Sequence, residues 1–342
     1  MKILIYSDLH LHNHHKLIVN SETALGVLSY IKEYAQSNDI KKIISAGDFF
    51  HTKAKTYAPH VIQGWLKVKE IKKANIDQYM LIGNHDMANP NTTMNSILFV
   101  YSDYVKVIPD YYFFDTENTR YHLLSYTDTK FDNFQLDDDK YNVLIAHLDI
   151  IGFQMSNGFQ SISGFKMEDF KDFDLVLSGH YHKHQQKNNI VYIGSPYQTS
   201  FSERGQKKGF IILDDETLDW EFVETPEAPK YEIIDISSLD DLSNKNVNNK
   251  FLKIRLKNNK INKTKLKDRL VELGAISTNI VMPEDTKEIE KYYEDELSAD
   301  PVELATSYIN SLSSLQRLDK RKLVKYFNKI QEVADNITEY EL

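Results

Sequence analysis

Five short apolar runs between Met1 and Gly194 are near-continuous rather than alternating: Ile3-Leu4-Ile5-Tyr6, Ile43-Ile44-Ser45-Ala46, Tyr79-Met80-Leu81-Ile82, Val143-Leu144-Ile145-Ala146 and Leu175-Val176-Leu177. Strands of a sheet covered on both faces must read this way, because neither side of the pleat meets water. Each run ends in side chains able to bind a metal: Asp8 and His10, Asp48, Asn84 with His85, His147, and His180 with His182. In open α/β sheets chemistry gathers beyond the carboxyl ends of the strands, so ligands placed at these ends can converge on one spot.

At 342 residues the chain exceeds the usual size of a single core, which favours one large domain with smaller appendages. Hydrophobic content of 41% and charged content of 27% exclude disorder throughout. The N-terminal run meets Asp8 too early for a signal peptide, and no stretch is long enough to span a bilayer. With no cysteine there is no disulfide framework and no thiolate metal site, which fits a reducing compartment. The expected location is therefore the cytoplasm, or the host cytoplasm for a phage-encoded chain, with no membrane association.

A net charge of −9 argues against binding nucleic acid through bulk electrostatics. The charge is unevenly placed, however. From Lys250 to Arg269 the cations Lys250, Lys253, Arg255, Lys257, Lys260, Lys263, Lys265, Lys267 and Arg269 face a single acid, Asp268, while acidic surplus sits in Asp137-Asp138-Asp139 and from Glu284 to Asp300. Taken alone, such a basic run reads as solvated surface.

Over residues 1–224 the apolar runs alternate with helix-like stretches, Glu22 to Gln36 and His60 to Lys73, as in an α/β layered domain. A strand pair, Ile190 to Gly194 and Gly209 to Leu213, is expected to close it, followed by the alternating Leu218 to Val223. Two prolines in Thr225-Pro226-Glu227-Ala228-Pro229 mark a linker. A small α+β module is expected over 231–290, with strands at Tyr231 to Ile236, Phe251 to Leu256 and Ile276 to Val281 around a helix at Lys263 to Leu273. Residues 298–338 read as two amphipathic helices. The first has Asp300 as N-cap, Pro301 at its start and Glu303 completing a capping box; the second carries Leu323, Tyr326, Phe327, Ile330 and Val333 at helical spacing. Such stripes pack on the chain's own core or dock on a partner.

Carboxylate, amide oxygen and imidazole are the donors that Mn²⁺ and related divalent ions accept, and two neighbouring ions need a shared anion to offset their repulsion. Asp48, following the turn-permitting Gly47, is the natural bridge. Asp8 and His10, and likewise His180 and His182, are two residues apart and would share one face of an extended segment. A lone histidine or strand-end aspartate has a bland reading as a satisfied polar group or a cap. The ordered set Asp-x-His, Gly-Asp-x-x-His, Gly-Asn-His-Asp, His and Gly-His-x-His, each after a strand, does not.

This ordered set resembles the calcineurin-like metallophosphoesterases and, within them, the SbcD-type nuclease subunits of double-strand-break repair complexes; in length the chain is similar to phage recombination-endonuclease subunits of that kind. The motif resemblance covers about residues 1–194 and extends more weakly through the linker, module and tail. It implies an α/β layered sandwich of two β-sheets flanked by helices (1–224), a small capping and DNA-binding domain (231–290) and a helical ATPase-binding segment (298–338). It further implies two Mn²⁺ ions, with Mg²⁺ as the alternative. One would be held by Asp8, His10, Asp48 and His182, the other by Asp48, Asn84, His147 and His180, and water activated by the pair would be the nucleophile.

By the same resemblance His85 acts at the scissile phosphate, as charge stabiliser or proton donor, with Asp86 able to orient it, and His51 positions the nucleic acid. The Asp-Arg pair of related protein phosphatases is missing from His51-Thr52-Lys53. One departure is His12, followed by His14 and His15, where the family often has glycine two residues after the first histidine; these read as loop histidines. His60, His122 and His184 receive no role.

The expected activity is Mn²⁺-dependent DNA exonuclease and endonuclease cleavage, in recombination, repair or replication. The expected partners are DNA, an SbcC-type SMC-like ATPase bound through the C-terminal helices, and a second copy in a homodimer. A phosphoesterase acting on a non-DNA substrate is the second reading, since fold alone does not fix function. A catalytically inactive scaffold is the third, and it should have lost ligands, whereas every position here is filled.

Overall fold

The computed structural model describes residues 1–12, 18–52, 56–89, 92–129, 131–155, 158–226, 228–281 and 325. The helical pair expected over 298–338 lies outside the described residues, Lys325 apart, as do His14 and His15. The chain divides into two compact units, Met1–Glu232 with Asn249–Phe251, and Ile233–Asn248 with Leu252–Leu342.

In chain order the strands and α-helices are β1 (Lys2–Tyr6), α1 (Ile18–Ser37), β2 (Lys42–Ser45), α2 (Ala58–Lys73), β3 (Asp77–Leu81), β4 (Met87–Asn89), β5 (Thr92–Ser96) and β6 (Lys106–Ile108). They continue with β7 (Tyr111–Asp115), β8 (Thr119–Leu124), β9 (Tyr141–His147), β10 (Leu175–Gly179), β11 (Gln185–Lys187), β12 (Ile190–Tyr192), β13 (Gly209–Asp214) and β14 (Trp220–Glu224). Last come β15 (Lys230–Ile236), β16 (Lys250–Leu256), α3 (Lys263–Glu272) and β17 (Ser277–Val281).

Two six-stranded sheets form the first unit, ordered β14-β13-β1-β2-β3-β6 and β11-β12-β10-β9-β8-β7. In each, four neighbouring strands run parallel: β1, β2, β3 and β6 in one, β8, β9, β10 and β12 in the other. Alternation along β1 assigns its two faces. Leu4 and Tyr6 pack with Leu28, Ile31, Val68 and Ile71 of the helices, while Ile3 and Ile5 face the second sheet and meet the cluster of Ile145, Leu177 and Val191. Both faces are thus apolar, which is why the central runs do not alternate.

Helices α1 and α2 cover the first sheet's outer face. In α1, Ala24, Val27, Leu28, Ile31 and Ala35 recur at helical spacing and are buried. Helix α2 starts with proline in its first turn, ends with Lys72 and Lys73 against the helix dipole, and buries His60, Gly64, Val68 and Ile71. The outer face of the second sheet is covered differently from that of the first. Leu144, Ala146, Val176 and Tyr192 pack there against Phe153, Phe170 and Phe173 from loops and a short 3-10 turn, Met167–Phe170.

A second difference concerns the closing strands. β12 and β13 do not pair with each other: β12 joins β10 in the second sheet, and β13 lies antiparallel between β1 and β14 in the first. Both runs are apolar and short, and periodicity carries no information about which sheet receives them. The second unit holds most of the three-stranded sheet β15-β16-β17, together with α3, and has Leu252, Ile254, Leu266 and Leu270 in its own core.

Ile145 is fully buried between the sheets. Ile145→Ala removes three carbons from that layer and should cost about 3 kcal/mol. Urea unfolding checks this: the midpoint should fall with the slope unchanged.

Candidate metal centre

Hydrogen bonds outlast the strands and bring their ends together. Beyond β1 and β2 the backbone N–H groups of Asp8, His10 and Leu11 donate to the carbonyls of Gly47, Asp48 and Phe49 at 3.0, 3.0 and 2.8 Å. The segment is nevertheless not extended, contrary to the shared-face expectation. Asp8, His10 and Asp48 adopt φ of 53°, 48° and 52°, and His180 adopts 93°. Left-handed backbone costs a non-glycine residue energy and clusters at functional sites. These reversals turn the side chains inward at the junction of the two sheets, so they converge by tight turns rather than by alternation. Gly83 allows a close approach, since a β-carbon there would fall on the Asp48 carboxylate.

All nine residues singled out from the sequence meet at this junction. Asp48 Oδ1 lies 3.4 Å from His147 Nε2 and accepts the His85 backbone N–H at 2.8 Å; its Oδ2 lies 3.6 Å from His10 Nε2. Asp8 Oδ1 lies 4.0 Å from His10 Nε2 and 3.9 Å from His182 Nε2, and these two imidazole nitrogens approach to 2.9 Å. Asn84 Oδ1 lies 3.2 Å from His147 Nε2 and 3.1 Å from His180 Nδ1. His51 and His85 stack with centroids 5.5 Å apart, both edge-on to His10 at 5.2 and 4.9 Å. Asp8, His10, Asp48 and His147 are buried, while Asn84, His85, His51, His180 and His182 are half-buried and form the accessible side.

Two triads, Asp8–His10–His182 and Asp8–Asp48–His147, each bring their ligand atoms within 4.8 Å of one another, so Asp8 reaches toward both halves. The donor set suits divalent cations. Orientation suits them too, because each imidazole whose outer nitrogen is engaged turns the other inward. His147 Nδ1 donates to the Ala46 carbonyl at 2.8 Å, His182 Nδ1 to Glu203 Oε1 at 2.6 Å, and His180 Nε2 meets Asp149 Oδ1 at 3.0 Å.

Electrostatics follow from this packing. Burial drives the His10 pKa well below its usual range, reinforced by neighbouring His182. Burial also opposes charge on His147, but the Asp48 carboxylate outweighs it and lifts His147 to about 9. Asp48 is correspondingly held low: burial alone would raise it, and His147 and His10 more than compensate. Burial disfavours charge on both His182 and Glu203, yet their mutual hydrogen bond wins, raising His182 and lowering Glu203 to about 2.

One role expected from the sequence is overturned by the geometry: Asp86 does not orient His85. Its buried carboxylate accepts the backbone N–H groups of Gly83, Phe49 and Phe50 at 3.0, 3.2 and 2.9 Å, tying the post-β2 and post-β3 turns together. His85 Nδ1 instead meets the His51 carbonyl at 2.6 Å. Sequence reasoning also missed Glu203 and Asp149. Asp149 had a signal, standing two residues after His147, whereas Glu203 sits in the 3-10 turn Phe201–Glu203 with none.

The remaining histidines divide by position. His12 lies 5.2 Å from His51 at the edge of the cluster. His122 is a core residue bonded to Tyr111 Oη (2.7 Å) and Asn142 Oδ1 (3.2 Å), and His184 stacks on Phe222 at 4.0 Å.

Two apposed sheets with carboxylate, amide and imidazole donors gathered at their strand ends define a metal-dependent phosphoesterase. A family profile described as calcineurin-like phosphoesterase matches residues 1–184, more than half of the sequence, and the chain belongs to that family. It is 24% identical over 349 aligned positions to exonuclease subunit 1 of Enterobacteria phage T4, covering 96% of this chain and 98% of that one. It is 32% identical over 161 residues to the SbcD subunit of nuclease SbcCD from Staphylococcus epidermidis, covering 43% of this chain and 41% of that protein. A dimetal phosphatase from Danio rerio superposes with a TM-score of 0.40 at 9% identity, over 62% of this chain and 91% of that one.

Glu203 should make the metal-free protein sensitive to acid. Its folded pKa lies below the ordinary 4.5, so its stabilisation is full above that value and is lost as pH falls toward about 2. In urea titrations between pH 5 and 2 the loss should be on the order of 3 kcal/mol, and Glu203→Gln should flatten that limb.

Proposed function

We propose that this protein is a two-cation DNA nuclease, the catalytic subunit of a complex with an SMC-like ATPase. The observation that carries this reading is the meeting of Asp8, His10, Asp48, Asn84, His147, His180 and His182 from five strand ends, with Asp48 at their centre. Asp8, His10, Asp48 and His182 would hold one ion, and Asp48, Asn84, His147 and His180 the other, with Mn²⁺ the expected metal and Mg²⁺ the alternative. When bound, such a pair offsets phosphodiester charge and lowers the pKa of water far enough to supply a nucleophile near neutrality.

His85 stands on the accessible side, and its Nδ1 is engaged by the His51 carbonyl. With Nδ1–H donating there, Nε2 is the atom left to give a proton to the departing sugar oxygen, from the imidazolium form of the ring, which returns to the neutral Nδ1–H tautomer. His51, stacked on His85, fixes that ring and contributes its own imidazole to the substrate side. The near-full-length similarity to a phage exonuclease subunit and the partial similarity to an SbcCD nuclease subunit support DNA as the substrate and an ATPase as the partner. In this reading residues 298–338 bind the ATPase and the nuclease subunit forms a homodimer. No helix among the described residues is long and apolar enough to cross a membrane.

The basic run fits a phosphate-gripping role in part. Lys250, Arg255 and Arg269 pair with Glu232, Asp235 and Glu272. Lys257, Lys260, Lys263, Lys265 and Lys267 are exposed, the last three on α3. These five are the cations expected to displace counterions from DNA.

Purified protein with Mn²⁺ should cleave a labelled duplex and a single-stranded circle, and a chelator should stop it. Asp48→Ala and His85→Ala should each lower cleavage by at least about a hundredfold. Hydrolysis of an aryl phosphodiester with no cleavage of DNA would instead favour the non-DNA phosphoesterase.

Glutamine at Lys257, Lys260 and Lys263 together should weaken DNA binding and reduce the salt slope by roughly three. Deleting residues after 301 should abolish co-purification with the ATPase while sparing cleavage of short substrates; unchanged co-purification would refute that docking role.

A further inference from the structure

Behind His182 lies a buried ion pair that its metal-ligand role does not by itself require. Glu203 is 1% exposed, and its carboxylate accepts from His182 Nδ1 at 2.6 Å, from the Thr199 N–H and Oγ1 at 2.8 Å each, and from Lys208 Nζ at 3.0 Å. The Lys208 side chain is itself 6% exposed, and its Nζ also donates to the His182 carbonyl at 2.7 Å and to Ser195 Oγ at 2.8 Å. One ion pair therefore grips both the ring and the backbone of His182.

A buried ion pair is weak as a stabilising device, because the desolvation of two charges cancels most of their attraction; packed apolar side chains of equal volume often do as well. Its value has to be sought in what it touches. A carboxylate on the outer nitrogen of a ligand imidazole fixes the tautomer, directs the lone pair of the inner nitrogen and raises its basicity. Two of the other three ligand imidazoles lean on different groups. His147 leans on the neutral Ala46 carbonyl, and His180 on Asp149, which is 35% exposed and shared with the Tyr181 hydroxyl. Among these three contacts, a fully buried carboxylate stands behind His182 alone.

We propose that Glu203 is a positioning residue that locks the His182 ring with its Nε2 toward Asp8 and His10, and so sets the affinity of that half of the site for its cation. Lys208 keeps Glu203 in place and ionised. The inference rests on the two-cation reading, and it concerns one ion only, which separates it from a general contribution to folding.

The test is calorimetric titration of the metal-free full-length protein with Mn²⁺, with urea unfolding run alongside. Glu203→Gln keeps the shape and removes the charge. It should weaken one of two binding steps by about 10–100-fold and leave the other unchanged. Glu203→Asp, with the charge kept on a shorter arm, should fall between. Unchanged binding in folded Glu203→Gln overturns the inference, and so does equal weakening of both steps, which a merely structural residue would give. Should Glu203→Gln not fold, Glu203→Asp and Thr199→Val, which removes one donor to the carboxylate, decide instead: selective weakening of one step supports the role, and no change or equal weakening overturns it. Wild-type protein binding fewer than two Mn²⁺ is a separate result that removes the two-cation reading and this inference with it.

Discussion

The Asp48 carboxylate is the contact on which the rest of the centre turns. It is 2% exposed, and a charge so buried persists only when it is paired and hydrogen-bonded. His147 supplies the pairing from the second sheet, and the His85 N–H supplies a hydrogen bond from the turn after β3. One side chain thus joins elements from both sheets, and removing it would leave a cluster of imidazoles without their central anion. The dependence runs both ways, because His147 is lifted to about 9 chiefly by Asp48, against a burial that works to discharge it.

Convergence on Asp48 requires backbone that the strands themselves cannot supply. Asp8, His10, Asp48 and His180 all take left-handed φ, each at an energetic cost. Two kinds of restraint hold them there. The apolar cores on either side of β1 fix where the strand ends, and backbone bonds from Asp8, His10 and Leu11 to the neighbouring turn fix the path of the chain beyond it. Asp86 adds a third tie by gathering three N–H groups from two turns into one buried carboxylate. Its pKa is raised to about 7 by burial and by the nearby Asp48 charge, against those same N–H donors. Asp86 therefore belongs to the scaffold that shapes the site and not to the chemistry on its accessible side.

Much of this was legible in the sequence, for a physical reason. Central parallel strands must be apolar on both faces, so β1, β2, β3, β9 and β10 announce themselves as unbroken runs, and the side chains of the candidate metal centre stand at their ends. The partition of strands between sheets was not legible. β12 and β13 carry similar apolar runs and end in different sheets, and β7, Tyr111–Asp115, is a half-buried mixture of aromatic residues with no clear period. Nor was the local route to the site. Two-residue spacing suggested a shared strand face for Asp8 and His10, whereas the chain achieves their convergence by left-handed turns. Glu203 shows the sharper limit: nothing in its neighbourhood distinguishes it from a surface glutamate, and its meaning comes wholly from the distant residues folded around it.

Burial divides the centre into a sealed half and an accessible half, and that division constrains what it can bind. Asp8, His10, Asp48 and His147 are buried, so their charges and lone pairs are aimed inward and reach no substrate directly. Asn84, His51, His85, His180 and His182 are half-buried, and of these five not one is a carboxylate. An anionic phosphoester approaching this side meets amide and imidazole before it meets Asp8 or Asp48, which lie beneath, where cations would shield them; the one acid beside this face, Asp149, is paired with His180 at 3.0 Å. The inverse arrangement, with the carboxylates outermost, would repel the same substrate at close range, where the attraction or repulsion of unit charges is worth several kcal/mol even in a partly solvated site, on the order of 4 kcal/mol at 4 Å. The order of burial of Asp8 and Asp48 therefore lowers the repulsion an anionic substrate would meet, in a chain whose net charge is −9.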